Sequence, residues 1–174
     1  MIKDLTAERS KVFNDVFIIK PSVSCDLRGD IFTTYSKDSY SRFLPHSIEF
    51  VHDKFATSEH FVLRGLHGDN KTWKLVTCVY GEIFQVIVDN RPESKSYLKW
   101  FSIILNDKNK KQILVPPDFV NGYCVLSKSA VFHYKLAYSG EYYDINKQVT
   151  LKWNDPRIGI RWPIENPILQ ERDK

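Results

Sequence analysis

The sequence lacks the features that mark secreted, membrane-spanning and nucleic-acid-binding chains. It has three cysteines in 174 residues, Cys25, Cys78 and Cys124, odd in number and far apart. That count argues against a disulfide framework or a zinc knuckle and fits a reducing compartment. Apolar runs stop at four residues, as in Val16-Phe17-Ile18-Ile19, far short of the roughly 20 that a membrane helix needs. The opening Met1-Ile2-Lys3-Asp4 lacks the basic-then-apolar layout of a signal peptide, so a cytoplasmic location is expected. Charge of one sign is missing too: 25 basic residues mix with 21 acidic ones for a net +4. This surplus is too weak for a nucleic-acid footprint but suits a small anionic ligand. No repeat, low-complexity tract or linker divides the chain. A chain of this length buries roughly 70% of its extended surface, so we expect one domain over residues 1–174.

What is present is strand texture. Val, Ile, Phe, Tyr, Trp and Thr crowd short windows at 12–19, 31–35, 47–51, 74–80, 82–89, 97–105, 112–115, 122–126, 130–138 and 149–153. Windows 74–80 and 82–89 flank Gly81, which reads as a hairpin. The single plausible helix, 37–44, ends at Pro45. Many short strands with turns between them argue an all-β sandwich or barrel with a short peripheral helix. In 82–89 both alternating faces are apolar, so that strand should be buried on both sides, with Gln85 marking an interior that is not wholly dry. In 130–138, Phe132, Tyr134, Leu136 and Tyr138 share a face. A phenol among large apolar neighbours there is a candidate pocket wall.

Four stretches carry chemistry: Asp26-Leu27-Arg28-Gly29, Leu63-Arg64-Gly65-Leu66-His67, Lys74-Leu75-Val76 with Gly81-Glu82, and Phe132-His133-Tyr134-Lys135. With Val88-Asp89-Asn90-Arg91, Val115-Pro116-Pro117-Asp118-Phe119-Val120-Asn121-Gly122-Tyr123 and Trp153-Asn154-Asp155-Pro156, they lie colinear over most of the chain. In this order and spacing the chain resembles the nucleotide-sugar 3,5-epimerases of the dTDP-4-keto-6-deoxyglucose type. The resemblance implies a cupin-like β jelly roll, a homodimer, and proton chemistry beside a ketone without a cofactor. A 4-keto group acidifies the neighbouring hydrogens, so a base and an acid on opposite ring faces invert the carbon.

Taken alone, His67 would be an ordinary satisfied polar residue, Tyr134 a core phenol and Lys74 a snorkelling edge lysine. The resemblance makes His67 the base, Tyr134 the acid and Lys74 the cation beside the enolate oxygen. It nominates Asp173, in Leu169-Gln170-Glu171-Arg172-Asp173, to pair with the base histidine, and Arg28 and Arg64 to hold the diphosphate. Departures surround the expected substrate pocket. Asn121 replaces a usual histidine, Gln85 a usual aspartate, and His52, Lys54 and Phe55 a more familiar Gln, Asn and His. The loop 68–73 is short. These departures suggest the same chemistry on another sugar or nucleotide, such as a GDP-linked 4-keto heptose of bacterial capsule or lipopolysaccharide.

Metal chemistry is not expected. No His-X-His follows the strand windows, and Asn121 occupies the position where a metal cupin would offer a histidine. Two alternatives stay open: a 3,4-ketoisomerase of the same jelly-roll group, and a nucleotide-sugar binding module without activity.

Overall fold

The computed structural model describes residues 5–174. Thirteen strands run in chain order: β1 (Leu5–Arg9), β2 (Phe17–Pro21), β3 (Val23–Asp26), β4 (Gly29–Phe32), β5 (Phe50–Glu59), β6 (Leu63–Gly68), β7 (Trp73–Tyr80), β8 (Glu82–Asp89), β9 (Trp100–Asn106), β10 (Gln112–Val115), β11 (Phe119–Val125), β12 (Ser129–Ala137) and β13 (Val149–Thr150). One sheet orders its strands β1-β2-β10-β7-β12-β5 and the other β13-β6-β11-β8-β9, while β3 and β4 form a separate two-stranded hairpin. Neighbouring strands pair antiparallel throughout. This is the expected all-β jelly roll. No helix among the described residues is long and apolar enough to cross a membrane.

Alternation along each strand sorts its side chains between layers. Val76, Cys78, Ile113, Val115 and Phe132 of the first sheet meet Ile83, Ile87, Leu105, Phe119, Tyr123 and Val125 of the second in the central core. The intervening positions face outward and are covered as well. Leu75, Leu114 and Ala137 lie with Tyr40 and Leu44, whereas Val86, Val88 and Val120 lie with Ile158 and the ring of Trp162. β8 is therefore buried on both faces, as its sequence predicts. Each fully buried aliphatic side chain contributes roughly 1.5–3 kcal/mol relative to exposure, so these three clusters set the sandwich geometry.

The expected helix is a single turn, α1 (Lys37–Tyr40), followed by a 3₁₀ turn over Ser41–Phe43. Ser36 opens it by accepting from the Ser39 backbone N–H, and Leu44 is already extended ahead of Pro45. The Gly81 hairpin is corrected: β7 and β8 lie in different sheets and do not pair. Gly81, at φ +76°, turns the chain from one sheet to the other. A Cβ there would stand 2.2 Å from the Ser129 carbonyl oxygen, so the corner accepts only glycine.

Candidate active site

At one end of the sandwich the two sheets enclose a cavity of about 290 Å³. β5 contributes Lys54, β6 Arg64 and His67, β7 Lys74, β11 Asn121, and β12 Tyr134. The segment carrying Tyr142 and Asp144 closes one side, and the C-terminal turn carrying Arg172 closes another. Four cations, Lys54, Arg64, Lys74 and Arg172, face two carboxylates, Asp69 and Asp144. Such a balance favours an anionic guest.

His67 owes its position to a close approach of two strands. The β6–β11 register shifts between Asn121 and Tyr123, and His67 comes to lie opposite Asn121. Gly65 and Gly122 permit this crossing. A Cβ on Gly65 would lie 2.6 Å from the Gly122 Cα, and one on Gly122 would lie 2.7 Å from the Arg64 carbonyl oxygen. Behind the imidazole, the C-terminal 3₁₀ turn (Glu171–Asp173) places the Asp173 carboxylate 2.6 Å from His67 Nε2. The backbone N–H of Gly65 donates to the other carboxylate oxygen at 3.4 Å. Burial works against the charge on Asp173, but the hydrogen bond and charge of His67 outweigh it and hold the carboxyl below its ordinary range. With Nε2–H donated to Asp173, the Nδ1 lone pair is the one left to accept a proton.

Lys74 reaches across from the other sheet. Its ammonium donates to the His67 carbonyl oxygen at 2.9 Å and to Asn121 Oδ1 at 3.0 Å. Burial lowers its pKa to about 8, partly opposed by the charge of Asp69. Tyr134 also belongs to that other sheet, so it and His67 approach the cavity from opposite walls. Burial raises the Tyr134 pKa, and the charge of Lys54 works in the opposite direction. Arg64 is tied down by bonds from Nε to Ser58 Oγ at 3.0 Å and from Nη2 to the Thr57 carbonyl at 3.4 Å.

Three expected substrate contacts lie elsewhere. Gln85 is fully buried in β8, where Nε2 donates to the Val86 carbonyl oxygen and the side chain does not reach the cavity wall. His52 shares a face of β5 with Lys54 but packs against Tyr142, its ring edge-on at 4.9 Å, with Nδ1 3.4 Å from the Tyr138 hydroxyl. Arg28 sits at the β3–β4 turn, 90% exposed and paired with Asp26, outside the cavity of its own chain. Conversely, Arg172, Tyr142 and Asp69 were not singled out from the sequence. Arg172 adjoins Asp173, and its guanidinium is held by Thr150 Oγ1 at 3.3 Å and Gln148 Oε1 at 3.1 Å. Asp69 caps the short loop through Oδ1, which accepts from the Lys71 and Thr72 backbone N–H groups. Among the described residues no group of three or more His, Cys, Asp or Glu is arranged to hold a metal ion.

Comparison with known proteins agrees over nearly the whole chain. The family model of dTDP-4-dehydrorhamnose 3,5-epimerase matches residues 10–174. The enzyme of that description from Escherichia coli K12 is 39% identical over 164 residues, covering 92% of this chain and 87% of the relative. The one from Shigella flexneri is 37% identical over 162 residues, covering 91% and 88%. Among solved structures, the Legionella pneumophila dTDP-6-deoxy-D-glucose-3,5-epimerase in complex with dTDP-4-keto-L-rhamnose superimposes with a TM-score of 0.89. It shares 32% identity, with 97% of this chain and 89% of that one covered.

Proposed function

Since the chain belongs to the dTDP-4-dehydrorhamnose 3,5-epimerase family, we propose that it inverts C3, and C5 after it, of a nucleotide-diphospho-4-keto sugar. The observation that carries this reading is the pairing of a carboxylate-backed histidine with a phenol from the opposite wall of one cavity. His67 removes the proton beside the ketone, and the electron pair moves onto the carbonyl oxygen as an enolate. The Lys74 ammonium lies beside His67 and is suited to holding that oxygen. Tyr134 then delivers a proton to the opposite face. Arg64 and Arg172 both line the cavity, and their guanidinium forks suit the diphosphate.

The finer assignment of the substrate is a GDP-linked 4-keto heptose or a dTDP-linked hexose of surface-polysaccharide synthesis, epimerised by one cytoplasmic domain that works as a homodimer. Support for the dimer comes from the surface. β5 is an edge strand that exposes Val51 and Phe55, and the β3–β4 hairpin exposes Leu27 and Ile31. An exposed edge of this kind is a template for pairing. Arg28, displayed on that hairpin, would meet a diphosphate only in the cavity of a second copy. Incubating the protein in D₂O with dTDP-4-keto-6-deoxyglucose and with GDP-linked 4-keto heptose tests the activity. Deuterium at C3 of at least one sugar, with the inverted product, is expected; no exchange into either would refute it. Light scattering at micromolar concentration tests the dimer independently.

A further inference from the structure

Resting on the reading of His67 as base and Tyr134 as acid, we propose that Lys54 is a positioning residue that acts through Tyr134. Its ammonium holds the phenolate that Tyr134 becomes on giving up its proton. In the antiparallel register of β5 and β12, Lys54 is the direct partner of Tyr134. Directly opposed residues project to the same face with Cβ atoms about 5 Å apart. Both side chains line the cavity.

The ammonium is clamped rather than free. It donates to the Tyr142 hydroxyl at 3.0 Å and lies 4.3 Å from that ring's centroid. Tyr142 is braced by His52. Burial works against the charge, but the Tyr142 bond and the nearby phenols keep the lysine pKa above its ordinary value, so the cation persists. The charged and titratable groups acting on Tyr134 are Lys54, Tyr142 and Arg64. Of the two cations, Lys54 is the one paired directly across neighbouring strands with the phenol, whereas Arg64 stands on β6 in the other sheet.

The chemistry needs such a charge. When Tyr134 acts, its O–H bond breaks and a C–H bond forms at the enolate carbon, using the enolate electron pair. Negative charge leaves the sugar oxygen, beside Lys74, and appears on the Tyr134 oxygen, beside Lys54; the phenolate later takes a proton from water, and the His67 imidazolium returns to water the proton it removed. A half-buried phenolate without a cation would be costly to form. The cavity thus carries one lysine for each of the two oxyanions through which the charge passes.

The experiment compares wild type, Lys54→Met, Lys54→Gln and Lys54→Arg on dTDP-4-keto-6-deoxyglucose and the GDP-linked heptose in D₂O. Two quantities are read: deuterium in recovered, uninverted sugar, which reports proton removal by His67, and inverted product, which requires Tyr134. In Lys54→Met and Lys54→Gln the ratio of inversion to exchange should fall on the order of tenfold, towards the floor set by Tyr134→Phe. Lys54→Arg, which keeps the charge, should restore it to within about threefold of wild type. Thermal melts of the variants separate this from misfolding, and Lys54→Gln retains a donor for Tyr142. An unchanged ratio, or exchange and inversion falling together with a raised KM, would make Lys54 a substrate anchor and overturn the proposal. Wild-type protein that exchanges neither sugar would instead refute the epimerase reading beneath it.

Discussion

Asp173→Asn isolates the charge behind the base. The substitution keeps the shape of the side chain and an oxygen that can accept the imidazole N–H, but removes the negative charge 2.6 Å from His67 Nε2. With charge centres about 4 Å apart and an effective dielectric near 20, the lost attraction to an imidazolium is roughly 4 kcal/mol. Asp173 is only 1% exposed, so relief of its desolvation returns part of this, leaving about 2–3 kcal/mol. That loss falls on the step in which His67 becomes charged. At about 1.4 kcal/mol per factor of ten, kcat should drop roughly 30- to 150-fold. KM should stay near its wild-type value, because Asp173 lies behind His67 and does not line the cavity. The assay is the initial rate of deuterium incorporation at C3 in D₂O, read by NMR beside the rate of inversion. A variant within threefold of wild type in exchange would show that the carboxylate does not support the base. A loss confined to KM would move Asp173 from catalysis to substrate binding.

The remaining expectations follow from other contacts. Lys74 loses its charge as pH rises through about 8, so kcat/KM should decline above that pH. In Lys74→Arg, which cannot deprotonate, the decline should shift upward by more than one pH unit; a limb that stays near its wild-type position would belong to another group. Asp89 is fully buried and accepts from Arg91, Ser94 and Ser96, which together outweigh its burial and hold its carboxyl far below the ordinary range. Asp89→Asn should cost about 3 kcal/mol and lower Tm by roughly 6–12 °C at neutral pH. A carboxyl whose pKa is depressed on folding contributes stability that is full above about pH 4 and is lost as pH falls towards its depressed folded value, so the gap between the melting curves of variant and wild type should narrow progressively below about pH 4. Asn121→His removes the Oδ1 that accepts from Lys74 and should change the ratio of C5 to C3 exchange more than total exchange. If turnover falls at a constant ratio, regiochemistry is set elsewhere.

Much of the architecture was legible because it rests on alternation of strongly apolar residues. The windows 82–89 and 112–115 match β8 and β10 residue for residue. β5 was read only at its start because Val51-His52-Asp53-Lys54-Phe55-Ala56-Thr57-Ser58 mixes polar residues into both phases. An edge strand needs only one covered face, so its pattern is weak. β6 hid for another reason: Arg64-Gly65 breaks the strand signal at the point where the two backbones approach closely, a contact with β11 that local pattern does not record. Gly81 reads as a hairpin because glycine marks a tight turn without marking which sheet the next strand will join. Of the site, His67, Lys74, Tyr134, Arg64, Asn121, Lys54 and Asp173 were located through motif order, and the structure brings them together around one cavity. Gln85 and His52 face the same layer as the cavity but do not line it, since neighbourhood in a motif does not record which neighbouring side chains cover a residue. Arg172 escaped notice because its place depends on how the last turn folds back against β6 and β13.

That returning segment gives the enzyme a thermal fuse. Its attachment is polar rather than apolar: Ile168 makes a parallel bridge beside Val62, with backbone bonds to Phe61 and Leu63, and Asp173 is held by His67 and the Gly65 N–H. The sandwich, by contrast, is held by three apolar clusters that this segment does not enter. Weakly attached elements open locally at free energies well below that of global unfolding. Heating should therefore lift the carboxylate away from the imidazole while both sheets remain folded, and catalysis would fail before the fold does. The interval between those two temperatures measures how firmly the base is wired to its counter-charge.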